Sequence, residues 1–344
     1  MEPVDAVKLV YQSEFGCGHL LLAEAGCAES VRRELEQTPV RDEPPAVAIG
    51  GGLCRLNLAA SAVRSLSPES VARMMRLTAA RTRGEAASFE RGLETLRALA
   101  REGAAPFSPE ALDRYLEEYR AKGTPLVSHS QRYREAYRPA YRVVLEDFAP
   151  LVPVIAAADE RLAREGRVTV ALDGPCGAGK TTLGNLLALF YGVNPIRMDD
   201  FFLPPNLRTP RRLREPGGNV HYERFAREVI AGLIAGGGLA YRRFDCGTGR
   251  YHTQKRNASA VAVIEGSYSH HPFFDRGYDK LNALRIFVGV EAGEQLRRLL
   301  RRNPEKLERF RSEWIPLEKC YFEAYDIRER ADIALESRPW EDEV

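Results

Sequence analysis

The sequence predicts an α/β domain with a parallel sheet after about residue 166, preceded by a mainly helical domain. Three observations carry this. The chain has 344 residues, too many for one ordinary core. Apolar runs at 167–173, 260–265 and 284–290 read as buried strands, with helical stretches between them. Residues 1–145 instead show apolar residues at helical spacing over about 4–12, 28–37, 68–81, 86–102 and 108–122.

In the first part, Ser67-Pro68-Glu69 and Ser108-Pro109-Glu110 read as helix starts, a cap hydroxyl followed by proline in the first turn. Gly50-Gly51-Gly52 precedes an alternating segment, 53–58, that predicts one short strand. Residues 146–166 read as a connecting helix, and the second domain is placed at 167–338.

Composition limits the function classes. Hydrophobic residues are 44% and charged residues 28%, as in globular proteins. A net charge of +2, from 50 basic and 48 acidic side chains, argues against a global attraction to nucleic acid; any basic site must be local. No apolar run reaches the roughly 18 residues that a membrane helix needs. The start, Met1-Glu2-Pro3-Val4-Asp5, lacks the pattern of a secretory signal. The six cysteines are scattered without a CxxC pair, which argues against a zinc ribbon or a disulfide framework and suits a cytoplasmic protein.

Gly174-Pro175-Cys176-Gly177-Ala178-Gly179-Lys180-Thr181 fits GxxxxGK[ST] at every defined position, after a predicted strand and before a predicted helix from Thr182 to Phe190. The glycines let amide hydrogens turn inward around phosphate oxygens, and the helix start adds unpaired amides. Lys180 places a charge on the β and γ phosphates, and the Thr181 hydroxyl is a magnesium ligand. The expected nucleotide is ATP with Mg2+; no Asn-Lys-x-Asp guanine reader is present.

A strand at 194–198 should return to the same sheet edge, bringing Asp199 toward the γ-phosphate. There it could accept a proton from an attacking hydroxyl, or it could cap a helix. Asp200 either turns outward or binds metal through water. Glu265 ends the next strand, where an unpaired carboxylate is costly to bury. Its partner would be Mg2+, directly or through water, or it orients the acceptor, or it is a capping acid on the next loop.

Between these acids, residues 208–225 form a basic, Pro- and Gly-rich segment suited to an acceptor pocket or a lid. His221 and Tyr222, with Asp200, are candidates for substrate or lid contacts. Arg297/Arg301 and Arg298/Arg302 stand at i,i+4 on one helix side. Arg298, Arg301 and Arg302 are candidates for phosphate contacts, or form a solvated face.

These residues resemble the uridine kinase and phosphoribulokinase branch of P-loop kinases over about 167–338, half of the chain. The resemblance rests on the loop at 174–181, Asp199-Asp200-Phe201-Phe202, the Gly218-Asn219 segment and Val263-Ile264-Glu265-Gly266. It implies that Asp199 is the base, that Thr181 and Glu265 serve magnesium, and that the arginines near 298–302 close on phosphates. His221 stands where uridine kinases usually place an aspartate for ribose hydroxyls. The stretch 267–272 is also unlike a nucleoside kinase. The reaction class therefore transfers and uridine does not. The likeness is to bacterial proteins called uridine kinase-like, without a secure acceptor.

The N-terminal part resembles an uncharacterised bacterial domain, a likeness that supplies no activity. Its segments 11–19, 50–58 and 128–142 concentrate His, Arg and Tyr. They predict either a polar pocket for a phosphorylated or carboxylated molecule, with Arg55, His129 and Arg142, or tyrosines and arginines in a structural role. Basic and aromatic interleaving over 128–142 would suit single-stranded RNA, which the near-neutral charge argues against.

The leading expectation is an ATP-dependent phosphotransferase acting on a hydroxyl of a small molecule, such as a nucleoside or another riboside. The alternative is an ATP-binding switch acting through the N-terminal domain. A kinase of RNA ends or proteins is a third reading. The sequence leaves the oligomeric state open.

Overall fold

A computed structural model describes residues 1–18 and 26–337; His19 and residue 338 lie outside these. Tertiary contacts divide the chain into Met1–Ala156 and Ala157–Val344. Each unit is taken by itself.

In the first unit, the helices Pro3–Phe15, Ala86–Arg101 and Pro109–Ala121 pack around Val7, Phe89, Leu93, Leu112, Leu116 and Tyr119. Burying a large apolar side chain contributes roughly 1.5–3 kcal/mol. Helix starts are fixed locally. The Ser67 Oγ accepts from the Ser70 amide at 3.1 Å, and the Ser108 Oγ from the Ala111 amide at 3.2 Å. Such caps are worth about 1 kcal/mol each.

A three-stranded antiparallel sheet joins these helices: β1 (Ala46–Gly50), β2 (Leu53–Asn57) and β3 (Tyr141–Leu145), in that order. Only β2 is expected from the sequence. β1, Ala46-Val47-Ala48-Ile49-Gly50, is largely exposed and apolar throughout, so it lacks the apolar/polar alternation that signals a strand. β3 lies within a basic, aromatic run and pairs with β2 across a long sequence gap. On the other side of β3, the Leu145 amide donates to the buried Thr78 hydroxyl at 2.9 Å.

The connecting segment opens as a 3-10 turn, Glu146–Leu151, which contains Pro150; the α-helix Val152–Glu165 follows. Proline removes the amide an α-helix would use there.

The second unit is built on β4 (Val168–Asp173), β5 (Ile196–Arg197), β6 (Leu239–Asp245), β7 (Arg250–Arg256), β8 (Val261–Glu265), β9 (Ala283–Gly289) and β10 (Ile333–Glu336). β6 and β7 form a separate antiparallel hairpin. The others form one sheet in the order β10-β9-β4-β8-β5, every pair parallel. Every residue of the central β4 is buried, which explains its unbroken apolar run. β5 is shorter than the expected 194–198. Pro195 precedes it, and a 3-10 turn, Met198–Phe201, takes over.

Register places the site. Leu172 of β4 and Arg197 of β5 both pair with Glu265 of β8. The carboxyl ends of these three strands are therefore level at one edge, where ligands of open α/β sheets bind. Among the described residues no helix is long and apolar enough to cross a membrane.

Asp173 ends β4 and is fully buried. Its Oδ1 accepts from the Gly174 amide at 2.7 Å and the Tyr268 amide at 3.1 Å. Its Oδ2 accepts from the His270 amide and the Tyr321 hydroxyl, both at 2.8 Å. Asp173→Asn would turn an amide donor onto one of these donor pairs. The expected cost is about 3–5 kcal/mol, against about 1.5 kcal/mol for Tyr321→Phe. Trp314 falls in this unit and reports on it. Urea unfolding followed by tryptophan fluorescence checks the ranking, and equal losses would refute it.

Candidate active site

The loop after β4 turns on glycines. Gly174, Gly177 and Gly179 have φ of 140°, 79° and 91°, where L side chains are strained. A Cβ at Gly174 would also collide with the Val288 carbonyl oxygen. The loop runs into the helix Lys180–Tyr191, whose first turn leaves amides unpaired. Lys180 is 7% exposed, and its Nζ donates to the carbonyls of Gly174 at 2.7 Å and Pro175 at 2.9 Å. The loop thus tethers its own ammonium.

The loop opens on a cavity of about 630 Å³. Cys176, Gly177, Gly179, Lys180, Thr181 and Thr182 line it; Gly174, Pro175 and Ala178 shape the loop from behind. Burial, reinforced by Glu318, pushes the Cys176 thiol up, so it is protonated and no nucleophile.

Thr181 Oγ1 donates to Glu265 Oε2 at 3.1 Å. Arg197 holds the other oxygen, Oε1, at 2.8 Å. Burial raises the Glu265 carboxyl above its ordinary range, with Arg197 opposing. A hydroxyl and a carboxylate side by side suit a hard cation that keeps water and phosphate oxygens for its remaining positions. Among the described residues no group of three or more His, Cys, Asp or Glu is placed to hold a metal alone.

The neighbouring aspartates part company. Asp199 lines the cavity. Asp200 is turned to the hairpin, accepting from the Tyr241 hydroxyl at 2.9 Å with Arg243 at 3.5 Å. Burial raises its carboxyl.

Other expected contacts fall elsewhere. His221 and Tyr222 are not among the residues lining the cavity. His221 Nδ1 lies 3.1 Å from Glu223 Oε2. Tyr222 stacks on His271 at 4.3 Å, beneath the Arg212 guanidinium. Arg212 explains both placements. It donates to the Tyr222 hydroxyl at 2.6 Å, to both Glu223 oxygens and to the Gly218 and Val220 carbonyls. This arginine fastens the 205–218 loop to the start of the next helix.

From the helix Ala292–Arg302, Arg297, Arg298, Arg301 and Arg302 all line the cavity. Arg298 bonds the Gly177 carbonyl at 3.1 Å and the Ser337 hydroxyl at 2.6 Å, so it also braces the loop. Phe310 and Trp314 contribute an aromatic wall, edge to face at 4.5 Å.

Sequence reasoning misses Glu318. It is 5% exposed on the helix Ile315–Ala324 and lines the cavity. Its Oε2 accepts from the Cys176 amide at 2.9 Å, and its Oε1 from the Ser267 hydroxyl at 2.8 Å. Burial raises its carboxyl, with Lys180 opposing. Tyr268 is missed too. It lines the cavity at a φ of 75°, a strain of about 1–3 kcal/mol in a non-glycine residue. Asn219 stands on the same wall.

No family model and no curated protein matches the chain. Among solved structures it is similar to a possible uridine kinase from Bacillus stearothermophilus, at 19% identity over 49% of this chain and 88% of that one, with a TM-score of 0.37. It is similar to a candidate fructose transport system kinase from a Silicibacter species, at 24% identity over 52% and 95%, with a TM-score of 0.40. A shikimate kinase from Bacteroides thetaiotaomicron is 17% identical over 49% and 86%, with a TM-score of 0.27. All three are named as kinases, and each similarity spans about half of this chain.

Proposed function

We propose that the protein is an ATP-dependent phosphotransferase whose acceptor is a hydroxyl of a small molecule. One observation carries this: Lys180 in its glycine loop and Asp199 from the next strand end line one cavity. A switch that only binds and hydrolyses ATP needs the loop but no carboxylate placed beside an acceptor.

In this reading the loop amides and the helix start bind the phosphates. Lys180 and the arginines Arg301 and Arg302 offset charge on the γ-phosphoryl as it moves. Asp199 takes the proton of the attacking hydroxyl. A new P–O bond forms to the acceptor oxygen, and the bond to the β-phosphate oxygen breaks, with ADP leaving with that electron pair. Bound Mg2+ would neutralise the phosphate oxygens, and Thr181 with Glu265 would hold it. Asn219, Ser267, Tyr268 and Glu318 supply polar groups to orient a polyhydroxylated acceptor such as a riboside. Asp200 keeps the turn that carries Asp199 in place through Tyr241. Arg298 does the same for the loop.

Asp199→Asn should lower kcat by about 10²–10⁴ and leave the ATP dissociation constant within about threefold. Near-normal kcat would remove Asp199 as the base. Lys180→Ala should lower turnover at least about a hundredfold. Acceptor-stimulated ADP release across nucleosides, sugars and polyols reads both. Slow release that no acceptor stimulates would favour the switch.

Thr181→Val should raise the Mg2+ concentration for half-maximal activity about tenfold with little change in kcat at saturating metal. An unchanged Mg2+ requirement would detach Thr181 from the metal.

A further inference from the structure

The first unit contains a cluster of charge that the proposed phosphotransfer does not use. Asp5, Lys8 and Gln12 follow each other at i, i+3 and i+7 on the helix Pro3–Phe15, so they share one face. Arg55 of β2 and Tyr141 of β3 share a sheet face, because Arg55 pairs with Val143 and Asn57 with Tyr141. The Arg55 guanidinium lies 4.5 Å above the Tyr141 ring.

The hydrogen bonds use up the one carboxylate. Asp5 is 2% exposed and accepts from the Glu2 amide, the Ser130 amide and the Ser130 hydroxyl, each at 2.8 Å. His129 Nδ1 lies 3.1 Å from its Oδ1. Since a carboxylate only accepts, Nδ1 carries the proton, and Nε2 accepts from the Tyr141 hydroxyl at 2.6 Å. Burial lowers the His129 pKa to about 4, so the ring is neutral.

The cations are left with little. Arg55 spends Nε and Nη2 on one neutral oxygen, Gln12 Oε1, at 3.1 and 2.7 Å. Among the described residues, Lys8, Arg55 and Arg134 make no ion pair. Burial, and then Arg55 beside it, lower the Lys8 ammonium; Asp5 opposes and Arg134 adds to the fall. Lys8 shares the helix face of Gln12, which holds Arg55, and Lys8 lies within electrostatic reach of Arg55 and Arg134, while Asp5 is already committed elsewhere. Holding like charges together in a half-buried place is unfavourable unless a counter-ion joins them. The surplus is two positive charges, the charge of a phosphoryl dianion.

Arg142 does not belong to this group. It alternates to the opposite face of β3 and pairs with Glu34 at 2.6 Å.

We propose that Lys8, Arg55 and Arg134 form a binding site for a small phosphoryl dianion, either free phosphate or a phosphate monoester. The guanidinium of Arg55 is held flat by Gln12 and the Tyr141 ring, and so is pre-organised for an oxyanion. Lys8 adds a point charge. Arg134 is exposed and forms the outer rim. The Asp5–His129–Tyr141 chain fixes the floor and contributes no charge to the ligand.

The test uses the full chain carrying Lys180→Ala, which removes the loop lysine and separates this site from the ATP site. Calorimetry follows inorganic phosphate, glycerol 3-phosphate and succinate at low salt. Both phosphates should bind, with the monoester tighter if the ligand is an ester and the free ion tighter if it is phosphate. Arg55→Gln should weaken binding at least about tenfold and Arg134→Gln about threefold, while Arg55→Lys recovers part of the loss. Arg134→Gln sits at an exposed position, so it reports even if Arg55→Gln fails to fold. Phosphate binding that neither variant alters would overturn the proposal. So would succinate binding more tightly than either phosphate, or a single-stranded RNA binding where small phosphates do not. Failure of the Asp199→Asn prediction would leave this site standing.

Discussion

Asp173 is the interaction on which the second unit depends. A buried carboxylate with unmet oxygens would be among the costliest groups in a core. Here its four donors come from three segments: the start of the phosphate loop, the turn after β8, and the helix Ile315–Ala324. Each segment contributes a cavity wall, as Cys176, Tyr268 and Glu318 show. The charge sits behind the cavity and fixes the walls without facing it. The left-handed Tyr268 follows from this constraint, because its amide must reach Asp173 Oδ1.

The same logic separates the paired aspartates. Burying both at one turn would set two carboxylates against each other. The chain gives Asp200 to Tyr241 and leaves Asp199 on the cavity. Glu265 is handled between these extremes. Arg197 offsets one oxygen, and the other accepts from the Thr181 hydroxyl.

What was legible in the sequence follows from the range of the physics involved. The glycine loop is a local backbone requirement, so eight consecutive residues display it. The positions of Asp199 and Glu265 follow from strand ends and handed crossovers, which also have sequence signatures. Glu318 has none: it meets Cys176 across 142 residues, and no spacing rule reaches that far. His221 and Tyr222 were read from their place in a loop, whereas Arg212 draws them into its own network. β3 was hidden because its Tyr-Arg start looks like the basic run before it, and its partner strand lies far up the chain.

The bond between Asp173 and Tyr321 spans 148 residues. During synthesis at roughly 5–20 residues per second, β4 would emerge well before the helix that completes its carboxylate's shell, by on the order of ten seconds or more. For that interval the loop can be made but not closed. A nascent chain would therefore acquire its nucleotide cradle late and in one step, after β9 and the arginine helix are in place. The first unit carries a comparable delay, because Asp5 accepts from Ser130 across 125 residues.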